Sequence, residues 1–108
     1  MISQVLLIAL MASAQGNLAS ARTSYSKCLG GFARAQVKEG VDEAAFTSKL
    51  GSACKAEEAA FRAASVATDV AAKIARATAE QNATDEIGYI HENAVETFKA
   101  SLPENKPK

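Results

Sequence analysis

The chain has 108 residues, with 12 basic and 12 acidic side chains, two cysteines and no tryptophan. A chain this short forms a single small domain that can bury only a modest core. With a formal net charge of zero, the chain lacks the overall excess of basic residues that is typical of nucleic-acid binders, so no nucleic-acid partner is predicted. Much of the 48% hydrophobic content is alanine, which favours helices and buries little area, so the composition predicts an all-α fold.

The chain starts with a short apolar run at residues 5–11, followed by Ala-Ser-Ala at residues 12–14. This pattern is typical of a secretory signal peptide, so we expect cleavage after residue 14, with a second candidate site after residue 21. The run is much shorter than the ~20 apolar residues that span a bilayer. We therefore expect an exported protein, periplasmic or secreted. The alternative interpretation keeps this segment as an apolar first helix of the fold.

Cys28 and Cys54 are the two cysteines of the chain. In an oxidising compartment an even number of cysteines favours a disulfide. Two cysteines and one distant histidine do not supply the ligands of a structural zinc site, and no Cys-x-x-Cys redox motif is present. We therefore predict a Cys28–Cys54 disulfide and neither a metal site nor a cofactor.

Residues from about 20 to 38 carry apolar side chains at helical spacing and predict a first helix. Gly30 and Gly31 interrupt it, which predicts either a bend or the close approach of another backbone. Gly40 is expected to end the helix in a left-handed conformation. Asp42 suits the N-cap position, so a second helix is expected to begin directly after it.

If the chain folds back near Val41, the two helices run antiparallel and Cys28 lies opposite Cys54. The predicted fold is therefore an antiparallel helical hairpin stapled by one disulfide, in a single helical domain over residues 15–102. The second helix is expected to be long, because no glycine or proline interrupts residues 52–87. Residues 103–108 are expected to form a disordered polar tail.

Beyond about residue 64 the second helix carries an apolar stripe, formed by Val66, Val70 and Ile74, that the first helix is too short to cover. The last segment also has apolar residues at helical spacing. A C-terminal helix is therefore predicted either to fold back over the stripe after a turn at residues 81–84 or to continue the second helix, leaving the stripe to another subunit. The stripe, or the acidic final segment, is the candidate interaction surface for a protein partner or a second copy.

His91 is the only histidine, and it lies among acidic residues near Tyr89. Without a nucleophile motif or a second metal ligand, we interpret it as a surface residue of a helix. Glu57 and Glu58 are interpreted as solubilising charge, since adjacent helical residues point in different directions. The sequence therefore predicts no catalytic residue, and the protein is not expected to be an enzyme.

Three features of the chain occur together: the leader, the Cys28 to Cys54 spacing, and the alanine-rich segments 53–58 (Ala-Cys-Lys-Ala-Glu-Glu) and 61–66 (Phe-Arg-Ala-Ala-Ser-Val). In this combination the chain resembles small exported bacterial proteins of uncharacterised function, chiefly alphaproteobacterial, built as Cys-linked helical hairpins. The resemblance implies a Gram-negative periplasm or cell envelope and brings no catalytic residue.

These observations predict an exported, non-enzymatic helical protein that works by protein–protein interaction or self-assembly. The alternative hypothesis is a helical protein whose amphipathic faces lie on a membrane surface. The scarcity of lysine and arginine in residues 80–96 argues against contact with anionic bilayers.

Overall fold

The computed structural model describes the backbone of residues 2–103 and the side chains of residues 17–103. Within this part of the chain it contains four helices: α1 (Ile2–Glu39), α2 (Glu43–Leu50), α3 (Lys55–Ala71) and α4 (Arg76–Ala100). The predicted all-α class is confirmed, as is the Cys28–Cys54 disulfide, whose α-carbons lie 6.0 Å apart. The side chains of the predicted signal peptide, residues 1–14, and residues 104–108 of the predicted tail lie outside the described residues.

The contacts between α1 and α3 show their relative direction. Cys28 of α1 is bonded to Cys54, directly before α3. Earlier in α1, the guanidinium of Arg22 lies 5.5 Å from the ring centroid of Phe61, which comes later in α3. Residue numbers therefore fall along α1 as they rise along α3, so these two helices run antiparallel.

Contacts between α1 and α4 follow the opposite rule. Arg22 forms an ion pair with Glu86 at 2.7 Å, and the Tyr25 hydroxyl lies 2.7 Å from Nε2 of His91. Residue numbers rise together in both helices, so α1 and α4 run parallel. The three longer helices thus pack side by side in an up-down-up order.

The main core lies where all four helices meet. Its buried residues are Tyr25, Leu29, Ala33, Phe46, Leu50, Phe61, Ile87 and Phe98. The short helix α2 contributes Phe46, whose ring stacks on Phe98 with centroids 4.1 Å apart and on Phe32 with centroids 5.5 Å apart. This aromatic stack joins α2 to both α1 and α4.

The connection from α1 to α2 follows the local signals of the sequence. Gly40 has a φ of 74°, and the Val41 amide donates to the carbonyl of Gln36, which closes α1 with a left-handed C-cap. Asp42 then accepts a hydrogen bond from the Ala45 amide at 2.8 Å, which caps α2. The predicted left-handed glycine and the predicted N-cap are both confirmed.

Replacing Asp42 with alanine is expected to lower the free energy of unfolding by about 1 kcal/mol, because the substitution removes the acceptor for the Ala45 amide. Urea unfolding followed by circular dichroism measures this loss. Asp42→Asn is the matched control, since it keeps a side-chain oxygen at the N-cap and is expected to lose only a few tenths of a kcal/mol. Equal losses in both variants would contradict the capping explanation.

The long second helix, predicted to begin directly after Asp42 and to continue through residues 52–87, is instead divided among α2, α3 and the first part of α4. Cys54 has a φ of 59° and separates α2 from α3, and Lys73 has a φ of 72° and separates α3 from α4. Both predicted alternatives for the last segment are wrong: residues 81–84 lie inside α4 and form no turn, and α4 does not continue the preceding helix. The chain instead reverses about ten residues earlier, between Ala71 and Arg76.

The hydrogen bonds at this reversal explain why α3 ends there. Lys73 donates its amide to the carbonyl of Val70, and Ile74 donates to the carbonyl of Asp69, both at 3.0 Å. This is the Schellman pattern, in which a left-handed residue follows the last helical turn and the next residue is apolar. Glycine usually occupies the left-handed position, so a lysine there gave no local signal in the sequence.

Helix α1 continues through Gly30 and Gly31 without a break. A Cβ atom added at Gly30 or Gly31 would lie 3.5 or 3.9 Å from the guanidinium of Arg34 on the same helix. No other helix of the described residues comes within 4 Å of either added Cβ atom. The predicted close approach of a second backbone at these glycines is therefore wrong.

Candidate functional site

The structure places the predicted interaction stripe largely inside the protein. Val66 is only 6% exposed and packs with Ala79 and Ala83 of α4. Val70 and Ile74 are half-buried against the same cluster. The first turns of α4 cover the stripe because the chain reverses before residue 76, so Val66, Val70 and Ile74 do not form an open surface.

The exposed side of α3 has an unusual composition. After Lys55, every exposed residue of this helix is an alanine, and these residues form the alanine face: Ala56, Ala59, Ala60, Ala63, Ala67 and Ala71. The other charged residues of α3 are half-buried: Glu57, Glu58, Arg62 and Asp69. A solvated helix face ordinarily carries the charged side chains. Helix α3 therefore presents its least polar side to the solvent.

The alanine face borders an open groove of about 690 Å³ between α1 and α3. The α1 wall of this groove consists of small uncharged residues: Asn17, Ser20, Ala21 and Ser24. Among the described residues that line the groove, Glu57 is the one that is charged. Because the distance between packed helices is set by the side chains at the contact, small residues on both walls allow a further helix to approach closely.

A polar cluster joins α1, α3 and α4 beside the disulfide. The Tyr25 side chain is fully buried, and its hydroxyl donates to Oε1 of Glu58 at 3.3 Å. Nε2 of His91 lies 2.7 Å from the same hydroxyl and 3.5 Å from Glu58. Since the phenol has one proton, donation to Glu58 requires Nε2 of His91 to carry hydrogen and to donate to the Tyr25 oxygen.

This arrangement corrects two interpretations from the sequence. Glu58 and His91 are half-buried hydrogen-bonding residues rather than solubilising charge and a surface histidine. The contact of Tyr25 with Glu58 could have been inferred from the predicted disulfide. Tyr25 lies one helical turn before Cys28 and Glu58 lies one turn after Cys54, so the Cys28–Cys54 bond brings these two positions together. The contact of His91 with these two residues could not be inferred from the sequence, because it depends on where the chain reverses between α3 and α4.

The environment of Tyr25 raises the pKa of its hydroxyl well above the ordinary value for tyrosine. Burial is the largest cause, and the negative charge and hydrogen bond of Glu58 add to it. A tyrosine that acts as a nucleophile or base needs a lowered pKa. The Tyr25 hydroxyl instead stays protonated and connects the three helices as a hydrogen-bonding group.

The raised pKa of Tyr25 makes stability fall at high pH. The contribution of the Tyr25 hydroxyl to the free energy of unfolding is complete below about pH 10, where tyrosine in the unfolded chain is still protonated. Above that pH the free energy of unfolding falls by about 1.4 kcal/mol per pH unit, because the unfolded chain loses this proton and the folded chain keeps it. In Tyr25→Phe this decline is expected to disappear. Urea unfolding between pH 8 and 11 measures it, with Tyr89→Phe as the control that leaves Tyr25 in place. An unchanged pH slope in Tyr25→Phe would refute the assignment.

One group of side chains has the spacing of metal ligands. The sulfurs of Cys28 and Cys54 and a carboxylate oxygen of Glu57 lie within 4.8 Å of one another. Because the two sulfurs are joined in a disulfide, they are not the thiolates that bind zinc. This group therefore does not form a metal site in the oxidised protein.

Among the described helices, none is both long enough and apolar enough to cross a bilayer.

Comparisons of the chain with protein-family models, curated proteins and solved structures gave no match. Its function is therefore inferred from the geometry of its own residues. The two features that carry functional information are the alanine face with its groove and the cluster around Tyr25.

Proposed function

We propose that the chain is an exported, non-enzymatic helical protein that binds a helix of another protein in the groove beside the alanine face. The observation that carries this proposal is the composition of that face, where each exposed α3 residue after Lys55 is an alanine. Alanine side chains form no hydrogen bonds with water. Among the described residues that line the groove Glu57 alone is charged, so a partner that covers the groove desolvates little charge.

The dimensions of the groove support a helical partner. Its α3 wall runs from Ala56 to Ala67, which is about 16 Å or three helical turns at 1.5 Å per residue. An amphipathic helix bound in an apolar groove contacts the groove through residues spaced three and four positions apart along one face, over a similar length. A partner helix with small apolar side chains on one face would match these walls.

The same surface argues against the alternative of a membrane-surface protein. Helices that lie on bilayers are anchored by large apolar and aromatic side chains, usually with basic residues beside them. The alanine face has neither. The exposed large hydrophobic residue of the described chain is Tyr89, which lies on α4 and not on this face.

The disulfide supports both the export and the hairpin arrangement in this proposal. Disulfides persist in oxidising compartments such as the periplasm or the extracellular space. The Cys28–Cys54 bond links α1 to the start of α3, so the two walls of the groove form one stapled antiparallel hairpin. The intact mass of the protein from its native compartment tests the export. We expect cleavage after residue 14 or 21 and no free thiol, whereas an uncleaved chain with two free thiols would contradict it.

A photo-crosslinkable amino acid at position 63, in the middle of the alanine face, tests the binding surface. We expect an adduct with a partner protein in the native compartment, and no adduct from position 78, an exposed threonine on α4. Adducts of equal yield from both positions would contradict a specific docking face. The mass of the adduct identifies the partner or shows a second copy.

A second experiment separates docking from folding. With the crosslinker at position 56, Ala63→Arg is expected to abolish the adduct because a long charged side chain blocks the groove. Ala63→Ser is the matched control and should retain the adduct. Circular dichroism should show the same helix content for both variants, because Ala63 is exposed.

A further inference from the structure

Two helices carry outward faces with the same residue spacing and opposite charge. The basic face of α1 consists of Lys27, Gly31, Arg34 and Lys38. The acidic face of α4 consists of Asp85, Tyr89, Glu92 and Glu96. In both sets the members stand at positions i, i+4, i+7 and i+11, so each set lies along one side of its helix.

The charges of the basic face have no ion-pair partner among the described residues. Lys27, Arg34 and Lys38 are exposed, and none forms an ion pair with any residue between 17 and 103. On the acidic face, Asp85 and Glu92 are likewise exposed and without an ion pair in that part of the chain. Glu96 of the acidic face is paired with Lys99 of the same helix at 3.6 Å. The charges without an ion pair among the described residues are therefore Lys27, Arg34 and Lys38 on the basic face and Asp85 and Glu92 on the acidic face.

The acidic face also carries the aromatic residue Tyr89, which is 64% exposed. The corresponding position of the basic face is Gly31, which has no side chain. A Cβ atom at Gly31 would meet only the guanidinium of Arg34 at 3.9 Å. Gly31 thus has no side chain of its own at this position, and the Arg34 guanidinium is the side-chain group that an aromatic ring of an opposing face would meet there.

We propose that the basic face of one copy binds the acidic face of a second copy, with the two helices parallel. This register pairs residues as follows: Lys27 with Asp85, Tyr89 with Gly31, Arg34 with Glu92, and Lys38 with Glu96. Complementary charge gives the contact its specificity, and the ring of Tyr89 over Gly31 supplies buried apolar area. The contact leaves the groove beside the alanine face open, so it does not depend on the proposed function.

One molecule cannot make this contact with itself. Its own α1 and α4 already face each other across a different groove, lined by Gly30 and Ala33 on α1 and by Ile90 and Ala94 on α4. The basic and acidic faces lie on the sides of these helices turned away from the buried core. A second copy is therefore required.

The register also decides the form of the assembly. Within one molecule the facing residues of α1 and α4 are 64 and 66 positions apart. If two copies lay at the same height along the helix axis, facing residues of α1 in one copy and α4 in the other would also be 64 to 66 positions apart. Arg34 of one copy would then lie opposite Lys99 of the other, and both side chains are positively charged. The proposed pairs are instead offset by about 58 positions, so each copy is displaced by roughly seven residues or 10 Å along the helix axis. A head-to-tail contact with such a displacement does not close into a ring and forms an open chain of copies.

Sedimentation velocity of the full chain tests the association. Since a single pair of helices makes a small interface, we expect weak association that increases with protein concentration at about 20 mM salt and disappears at about 500 mM. The triple variants Lys27→Glu/Arg34→Glu/Lys38→Glu and Asp85→Lys/Glu92→Lys/Glu96→Lys are each expected to be monomeric. An equal mixture of the two is expected to associate again, because each variant then meets a complementary face.

A matched control keeps the charge change but moves it away from the basic face. Lys49→Glu/Lys55→Glu/Lys73→Glu alters three other exposed lysines, and it is expected to associate like the wild type at about 100 mM salt. The proposal is overturned if the wild type is monomeric at every concentration at low salt. It is also overturned if the mixture fails to associate, or if the control loses association as the α1 variant does.

The parallel register has its own test. Tyr89→Ala and Gly31→Leu are each expected to weaken association about tenfold, because the first removes the ring and the second fills its place. Ala35→Leu is the control, since Ala35 is exposed on α1 outside the basic face. If Gly31→Leu associates as strongly as Ala35→Leu, the parallel pairing of the two faces is overturned.

Discussion

Replacing Phe46 with alanine is expected to lower the free energy of unfolding by about 3–5 kcal/mol. The Phe46 ring is fully buried, and it stacks between Phe98 at 4.1 Å and Phe32 at 5.5 Å. Leu50 is the other buried residue of the eight-residue helix α2. The substitution therefore removes most of what holds α2 against the other helices. Urea unfolding followed by circular dichroism measures the loss.

Two further substitutions show whether packing causes this effect. Phe46→Leu keeps an apolar side chain in the site, and it is expected to lose clearly less stability than Phe46→Ala. Thr47→Ala changes an exposed neighbour and is expected to stay within about 0.5 kcal/mol of the wild type. A loss below about 1 kcal/mol in Phe46→Ala would show that α2 is not packed into the core as described.

Removing the disulfide is the second prediction with a large effect. The double variant Cys28→Ser/Cys54→Ser is expected to be less stable than the oxidised wild type by about 3.5 kcal/mol, because the bond closes a loop across 26 positions of the unfolded chain. Urea unfolding without reductant measures the difference. Wild-type protein treated with reductant is expected to unfold near the midpoint of the double variant.

The left-handed backbone at Cys54 allows a sharper comparison. With a φ of 59°, a non-glycine residue at this position is strained by roughly 1–2 kcal/mol. Cys28→Ser/Cys54→Gly is therefore expected to be more stable than Cys28→Ser/Cys54→Ser. If the reduced and oxidised wild type unfold at the same urea concentration, the disulfide does not stabilise this fold.

The size of the disulfide effect bears on the proposed export. Domains of about 100 residues are stable by only about 5–15 kcal/mol, so a loss of about 3.5 kcal/mol is a large fraction of the total. A chain with few large apolar side chains has little other stabilisation to replace it. A measured loss of this size would agree with the proposed export to an oxidising compartment.

Local signals in the sequence correctly predicted several parts of the structure. The left-handed Gly40 and the Asp42 N-cap were predicted because each acts on hydrogen bonds within a few residues of itself. The Cys28–Cys54 disulfide was predicted from the number of cysteines and the expected compartment. None of these predictions required knowledge of how the helices pack.

The alanine face and the two charged faces were visible in the sequence only as composition and as helical spacing. Which side of α3 meets solvent depends on the position of α4, and that position depends on the turn at Lys73. Because a lysine occupies the left-handed position there, the turn was predicted about ten residues too late. The same error left Val66 to be covered either by a helix folding back after residues 81–84 or by another subunit, whereas it is buried under the first turns of α4.

The sequence by itself therefore determined the helical class, the capped α1 to α2 connection and the disulfide, since each depends on nearby residues or on residue counts. Only the tertiary structure decided the end of α3, the burial of Val66 and the contact of Tyr25 with His91. The physical reason is that packing among three helices outweighs the backbone strain of a left-handed lysine. Such a balance depends on contacts between distant residues, and no local pattern records it.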